Sequence, residues 1–231
     1  MNEIYLYGTI GQDYWDEDAT TAKDFCQQLS AFAPDDEVHI HVNSPGGSFH
    51  DGAAIYSAIQ QHAGRTVAHI DGLAASAASF CIMSADEVLM SPAANVMIHR
   101  ASGSVRGNAE DLRAVADTLD MLDQQLVDLY TAKSGKAEDE VRAMLEAETW
   151  MNAAQALEAG FIDAIEQDAP KMAAMVDPKV FARYKHAPSL EPADCNAPKT
   201  IDGEGDGDAP SATGTAFTRV GNRICEIGSN K

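Results

Sequence analysis

The chain has 231 residues, 45% hydrophobic and 23% charged, the proportions of a globular protein with one sizeable core or one domain plus an appendage. Its 36 acidic and 16 basic side chains leave a net charge of −20, carried entirely by residues 1–170 with 28 acidic against 8 basic groups, which argues against nucleic acid as a ligand. No apolar run approaches the ~20 residues of a membrane span, the start lacks a signal-peptide pattern, and Cys26, Cys81, Cys195 and Cys225 are scattered without metal spacing, so a cytoplasmic protein with reduced thiols is expected.

In chain order, EIYLYGTI (3–10) reads as a strand and TAKDFCQQLSAF (21–32) as an amphipathic helix. EVHIHVN (37–43) alternates, with Val38, Ile40 and Val42 on the face opposite His39 and His41. The turn SPGGS (44–48) leads into a helix over 49–63, and TVAHI (66–70) is a strand. AASAASFCIMSA (74–85) fits a buried helix, and EVLM (87–90) and NVMIH (95–99) are short strands. A long helix over 108–133 sets Leu112, Val115, Leu119, Leu122, Leu126 and Leu129 on one face. Two more helices follow at 137–145 and 152–160, the second capped by Asn152 and stopped by Gly160. Strands alternating with helices define an α/β protein.

Composition changes after Gln167. Three parts are expected: a domain over 1–168, a mildly basic linker over 169–186 that is helical or extended, and a polar tail over 187–231. Rich in Pro, Gly, Ser, Thr and Asp, the tail cannot bury enough apolar surface to offset its ordering entropy, so it is expected to be disordered. Its end, FTRVGNRICEIGSNK, regains apolar character and reads as a short docking peptide.

Three pieces carry chemistry. NSPGGS ends a strand in two glycines, which open backbone angles closed to other residues and let a ligand approach the main chain; a plain tight turn is the ordinary explanation. Ser76 follows DGLA at a strand-to-helix junction, where a hydroxyl projects outward and the next N–H points at whatever it attacks. Small residues around it are equally what close packing needs. His99 ends an apolar strand just before RASGS, a place where an imidazole is held at one end and reaches a site at the other. His39 and His41 share a face on which they could hold a metal together, but no third ligand stands at suitable spacing, so solvent or interface positions are favoured. His69 lies inside a strand and reads as core; His50, His62 and His186 fall near element ends.

Taken together and in this order, NSPGGS, GLAAS and VMIH resemble the ClpP family of serine peptidases. The similarity runs from about residue 4 to 165, through TWMNAAQALEAGFIDAI. The strand IYLYGTIG and the long polar extension look like the ClpP-related proteins of tailed bacteriophages and prophages, regarded as head maturation proteases.

The resemblance implies Ser76 as nucleophile, His99 as general base, and the N–H groups of Gly47 and Ala77 as the oxyanion hole. Glu148 stands where the family usually has the Asp of the triad, with Glu146 as the fallback. It further implies the spiral β/α fold shared with crotonases, no metal or organic cofactor, and homo-oligomeric rings stacked through the long helix. Protein substrates such as capsid or scaffold proteins follow from the phage likeness, as does a location in the host cytoplasm or inside the prohead. Whether a AAA+ ATPase partner is needed stays open. Three rivals also stand: an inactive scaffolding protein keeping the fold, a crotonase-type acyl-CoA enzyme, and a Ser–Lys signal peptide peptidase relative, disfavoured by His99 and by the lack of an apolar span.

Overall fold

Alternating side chains organise the first half of the chain. Strands β1 (Asn2–Tyr7), β2 (Val38–Ser44) and β3 (Thr66–Ala75) pair in parallel, with Ile4 opposite Ile40 and Ile40 opposite Ala68. Ile4, Leu6, Val38, Ile40, Val42, Ala68 and Ile70 are fully buried on one face. Against this core pack Phe25 and Leu29 of helix α1 (Ala22–Leu29) and Ile55 and Ile59 of α2 (Phe49–Gln61). Each large side chain so buried contributes about 1.5–3 kcal/mol. This computed structural model describes residues 2–12, 19–166 and 184–187, together with the backbone of 217–220 and 223–226.

The two halves of β3 have different neighbours. Residues 67–70 pair with β4 (Glu87–Met90), and residues 73–75 pair with β5 (Asn95–Ile98), both in parallel. The sheet therefore branches. One arm continues through β4 to β7 (Ala164–Ile165); the other passes through β5 to β6 (Thr149–Asn152), the single antiparallel partner in this sheet. The mainly parallel α/β architecture matches the fold expected from the ClpP resemblance.

The helix expected over 74–85 is shorter than its composition implied. Ala74 and Ala75 belong to β3, and α3 covers only Ala77–Cys81. Strand neighbours on both sides, β2 and β5, supply backbone partners that outweigh the helix preference of alanine. The strand β6 was not anticipated either.

Helix α4 (Ala109–Ser134) opens with an Asn108–Asp111 capping box and stops at Gly135, whose φ of 69° ends the helix. Only its second half enters the core, through Leu122, Leu126, Val127 and Tyr130. In its first half Leu112 is 47% exposed and Val115 and Leu119 are half-buried, while Met121, off the leucine stripe, is 54% exposed. Helices α5 (Glu138–Glu146) and α6 (Ala153–Glu158) follow; Asn152 caps α6 as expected, and Gly160 at φ 78° lies just beyond its end.

The chain divides into a unit ending at Leu190 and a second unit, Glu191–Lys231. Within the second, β8 (Phe217–Val220) and β9 (Arg223–Glu226) form an antiparallel hairpin in the segment read as a docking peptide. The disorder expected after 187 and the linker expected over 169–183 otherwise fall outside the described residues. Among the described residues no helix is long and apolar enough to cross a membrane.

Candidate active site

Sheet branching brings the three sequence motifs to one place. β2 ends at Ser44, and the following Pro-Gly-Gly loop lies against the end of β3. Gly46 has no room for a side chain: an added Cβ would stand 2.5 Å from the Ala75 carbonyl and 2.7 Å from the Ala77 nitrogen. Gly47, at φ 151°, is pressed against Ile10, whose N–H donates to Gly46 O and whose carbonyl accepts from Ser48 N–H. The loop is thus locked from both sides, and the Gly47 main chain is left exposed.

Ser76 sits between the last residue of β3 and the first of α3. Its backbone has a positive φ, 53°, with ψ −122°, and its N–H is tied to Met97 O of β5. Among the described non-glycine residues only Ser76 and Glu148 (φ 50°) have positive φ. Such strain costs of order 1–3 kcal/mol and persists only where the surroundings over-determine it. Here α3 does so: Ser79 N–H and its hydroxyl both donate to Ser76 O, and Ser79 Oγ also meets the buried Tyr130 hydroxyl at 2.7 Å.

His99 follows β5 directly, and its Nε2 lies 2.7 Å from Ser76 Oγ. Burial pushes its pKa below the ordinary 6.5, against the opposing pull of the Glu148 and Asp123 carboxylates. This shift favours the neutral imidazole, the form that can accept the serine proton. The next two residues are anchored to α4: the Arg100 guanidinium pairs with Asp123, and Ala101 N–H donates to Asp123 Oδ1 at 2.6 Å.

β5 and β6 run antiparallel with Ile98 opposite Thr149, so the next step along each strand brings His99 to face Glu148. No hydrogen bond joins the two among the described residues. Instead Glu148 accepts from the backbone N–H of His186 at 2.6 Å and of Lys185 at 3.0 Å, and from the Trp150 indole at 3.4 Å. Burial raises the pKa of this carboxyl, but those donors outweigh it and hold it below the usual value. Ser76, His99 and Glu148 border one cleft of about 600 Å³, which Gly47, Glu146 and Tyr184 also line. A smaller pocket beside Ser76 is walled by Phe49, Phe80, Leu122, Leu126 and Tyr130.

His186 also lines this cleft, whereas His39, His41 and His69 lie on the sheet. His69, read as core, is on the open face of the sheet, stacked on His41 at 4.8 Å and His39 at 5.1 Å and bonded to Glu166. His41 is drawn upward in pKa by its bond to Asp71, a gain that exceeds the opposing effect of burial. Among the described residues no group of three or more His, Cys, Asp or Glu is arranged to hold a metal ion.

Comparison with known proteins shows the family. Residues 10–169 match the Clp protease family. The ATP-dependent Clp protease proteolytic subunit of Bacteroides fragilis is 32% identical over 167 residues, spanning 71% of this chain and 79% of that protein. That of Porphyromonas gingivalis is 33% identical over 168 residues, spanning 71% and 74%. This chain belongs to the Clp protease family. Both motif serine and motif histidine fall inside the part shared with these Clp relatives.

Sequence reasoning missed Asp123 and Tyr184. Asp123 lies next to Leu122 on the leucine-striped face of α4, and a carboxylate on an apolar stripe was the available signal. Tyr184 stands in a mildly basic stretch with no periodicity, which gave no signal at all.

Proposed function

We propose that this protein is a serine endopeptidase of the ClpP type. The observation that carries the reading is the 2.7 Å contact between Ser76 Oγ, on its strained positive-φ turn, and a half-buried His99 Nε2. His99 removes the Ser76 proton as the oxygen attacks a peptide carbonyl. The oxyanion forms beside the N–H groups of Gly47 and Ala77, and His99 then protonates the leaving amine. Water, activated by the same imidazole, hydrolyses the acyl-enzyme and regenerates Ser76. Glu148 is a positioning residue: its negative charge favours the imidazolium form of His99. Glu146 borders the same cleft and is the alternative carboxylate.

The substrates are proteins, and the finer assignment is a phage or prophage head maturation protease acting on capsid or scaffold proteins. The strand IYLYGTIG and the polar extension support that assignment. Assembly is into homo-oligomeric rings, supported by the uncovered first half of α4. A soluble location in the cytoplasm or prohead follows from this role, and an unfoldase ATPase serves where substrates are folded. Residues 1–168 form the catalytic domain, followed by the linker 169–186 and the tail 187–231.

One observation favours a second reading, a dormant or inactive member: Glu148 is hydrogen-bonded away from His99. Labelling with a fluorophosphonate decides between them. Wild type should be modified at Ser76 and hydrolyse a short fluorogenic peptide, while Ser76→Ala should fold, assemble and do neither. An unlabelled wild type, or an active Ser76→Ala protein, overturns the assignment.

A further inference from the structure

Three residues that follow the last strand of the sheet in sequence, Tyr184, Lys185 and His186, line the cleft. The Tyr184 hydroxyl donates to the Pro45 carbonyl, next to the Gly46–Gly47 loop. Its ring stands edge-on to the His99 imidazole at 5.4 Å and to the Trp150 indole at 5.8 Å. It thereby covers a small apolar pad of Leu73, Ala75 and Met97, separate from the main core. The chain then turns, and the N–H groups of Lys185 and His186 both point at the Glu148 carboxylate. The His186 ring secures the turn through the Ala147 carbonyl at 2.9 Å.

Each contact falls on a part the mechanism needs. The oxyanion loop is touched through Pro45, the base through the face of His99, and the positioning carboxylate through two main-chain donors. Charge-assisted bonds of the last kind are among the stronger ones available to a neutral peptide. An aromatic side chain on an apolar pad, followed by main-chain donors on a carboxylate, is also how an extended peptide is gripped in a cleft.

We infer that residues 184–186 are an internal peptide ligand of the active-site cleft, occupying ground that substrate must take and engaging the Glu148 carboxylate in place of His99. The inference rests on the serine peptidase reading. It makes the chain its own competitive inhibitor: substrate binding displaces the Tyr184 turn, and Glu148 is then free to accept a hydrogen bond from the imidazole. The same chemistry sets what displaces it, namely a peptide with an aromatic side chain followed by free backbone amides.

The test uses the full chain. Tyr184→Ala removes the ring and hydroxyl, and Lys185→Pro removes one N–H from Glu148. Fluorophosphonate labelling of wild type first establishes Ser76 as a nucleophile, independently of the turn. Both variants should then label faster than wild type and cleave a short peptide with kcat/KM raised about tenfold, mainly through KM, equivalent to about 1.4 kcal/mol. The synthetic peptide ARYKHAPS, residues 182–189, should inhibit both variants competitively and wild type less. Unchanged rates in both variants overturn the inference, as does loss of activity in both, which would make the turn part of the site rather than its occupant. Hydrogen exchange gives a readout without turnover: the Lys185 and His186 amides should lose protection once Ser76 is covalently modified. Protection that persists overturns the inference while leaving the nucleophile intact.

Discussion

Replacing Gly47 by alanine is the sharpest probe of the oxyanion loop. The added Cβ would lie 2.1 Å from the Ile10 carbonyl oxygen, whereas real Cβ atoms essentially never come within 3.0 Å, so a gap of 0.9 Å must open. Ile10 cannot give way easily, because its N–H and carbonyl are both bonded to this loop. The movement therefore falls on the Gly47 N–H itself. Misplacement by about 1 Å costs roughly 10²-fold, and losing one oxyanion donor costs about 10²–10³-fold. We expect kcat/KM on a short peptide to fall by about 10²–10³, with kcat carrying most of the loss. Gly135→Ala is the control. Gly135 is also left-handed, at φ 69°, but an added Cβ meets nothing within 4 Å. It should cost about 1–2 kcal/mol of stability, seen as a Tm lower by roughly 2–8 °C, with peptidase activity at 25 °C unchanged. If Gly47→Ala keeps more than a tenth of wild-type activity, the loop does not hold the oxyanion; equal losses in the two variants would mean that the assay reads unfolding.

Further outcomes are expected. Because burial lowers the His99 pKa, the acid limb of kcat/KM should lie below 6.5, the base staying neutral to lower pH than a free imidazole. Glu148→Gln removes a charge that raises this pKa, so the limb should move lower still while kcat falls; a limb that moves up would contradict the assignment. Asp123→Ala deprives Ala101 N–H of its acceptor, which should cost about 1–3 kcal/mol in denaturant titration and lower kcat more than it alters KM. The exposed Arg100 should add little, since water can solvate it. Leu112→Gln combined with Met121→Gln should reduce the molecular mass seen by light scattering, because both side chains lie on the uncovered half of α4. An unchanged mass would remove that half from the assembly contact.

The catalytic elements were legible because they are local. Alternation gave β2, the leucine period gave α4, and capping residues gave the limits of α6. What escaped depends on partners distant in sequence. Ala74 and Ala75 look helical alone and become strand only when β2 and β5 flank them. His69 sits in a strand of apolar neighbours, yet it points to the open face, where His39, His41 and Glu166 receive it. Glu148 was placed by resemblance, but its hydrogen bonds to residues 185 and 186 span 37 and 38 positions of chain, and no local pattern encodes them.

The short antiparallel ladder of β5 and β6 acts as a ruler. Four rungs, from Asn95–Asn152 to Ile98–Thr149, fix how far His99 and Glu148 protrude beyond the pair. Side chains alternate with a period of two, so dropping one residue from 95–98 would turn the imidazole to the opposite face and strand Ser76 without its base. An insertion in the preceding turn at 91–94, by contrast, bulges outward and leaves the rungs in place. Chain length, more than side-chain identity, is what this segment cannot vary: conservative exchanges such as Val96→Ile leave the spacing intact, whereas a single deletion abolishes it.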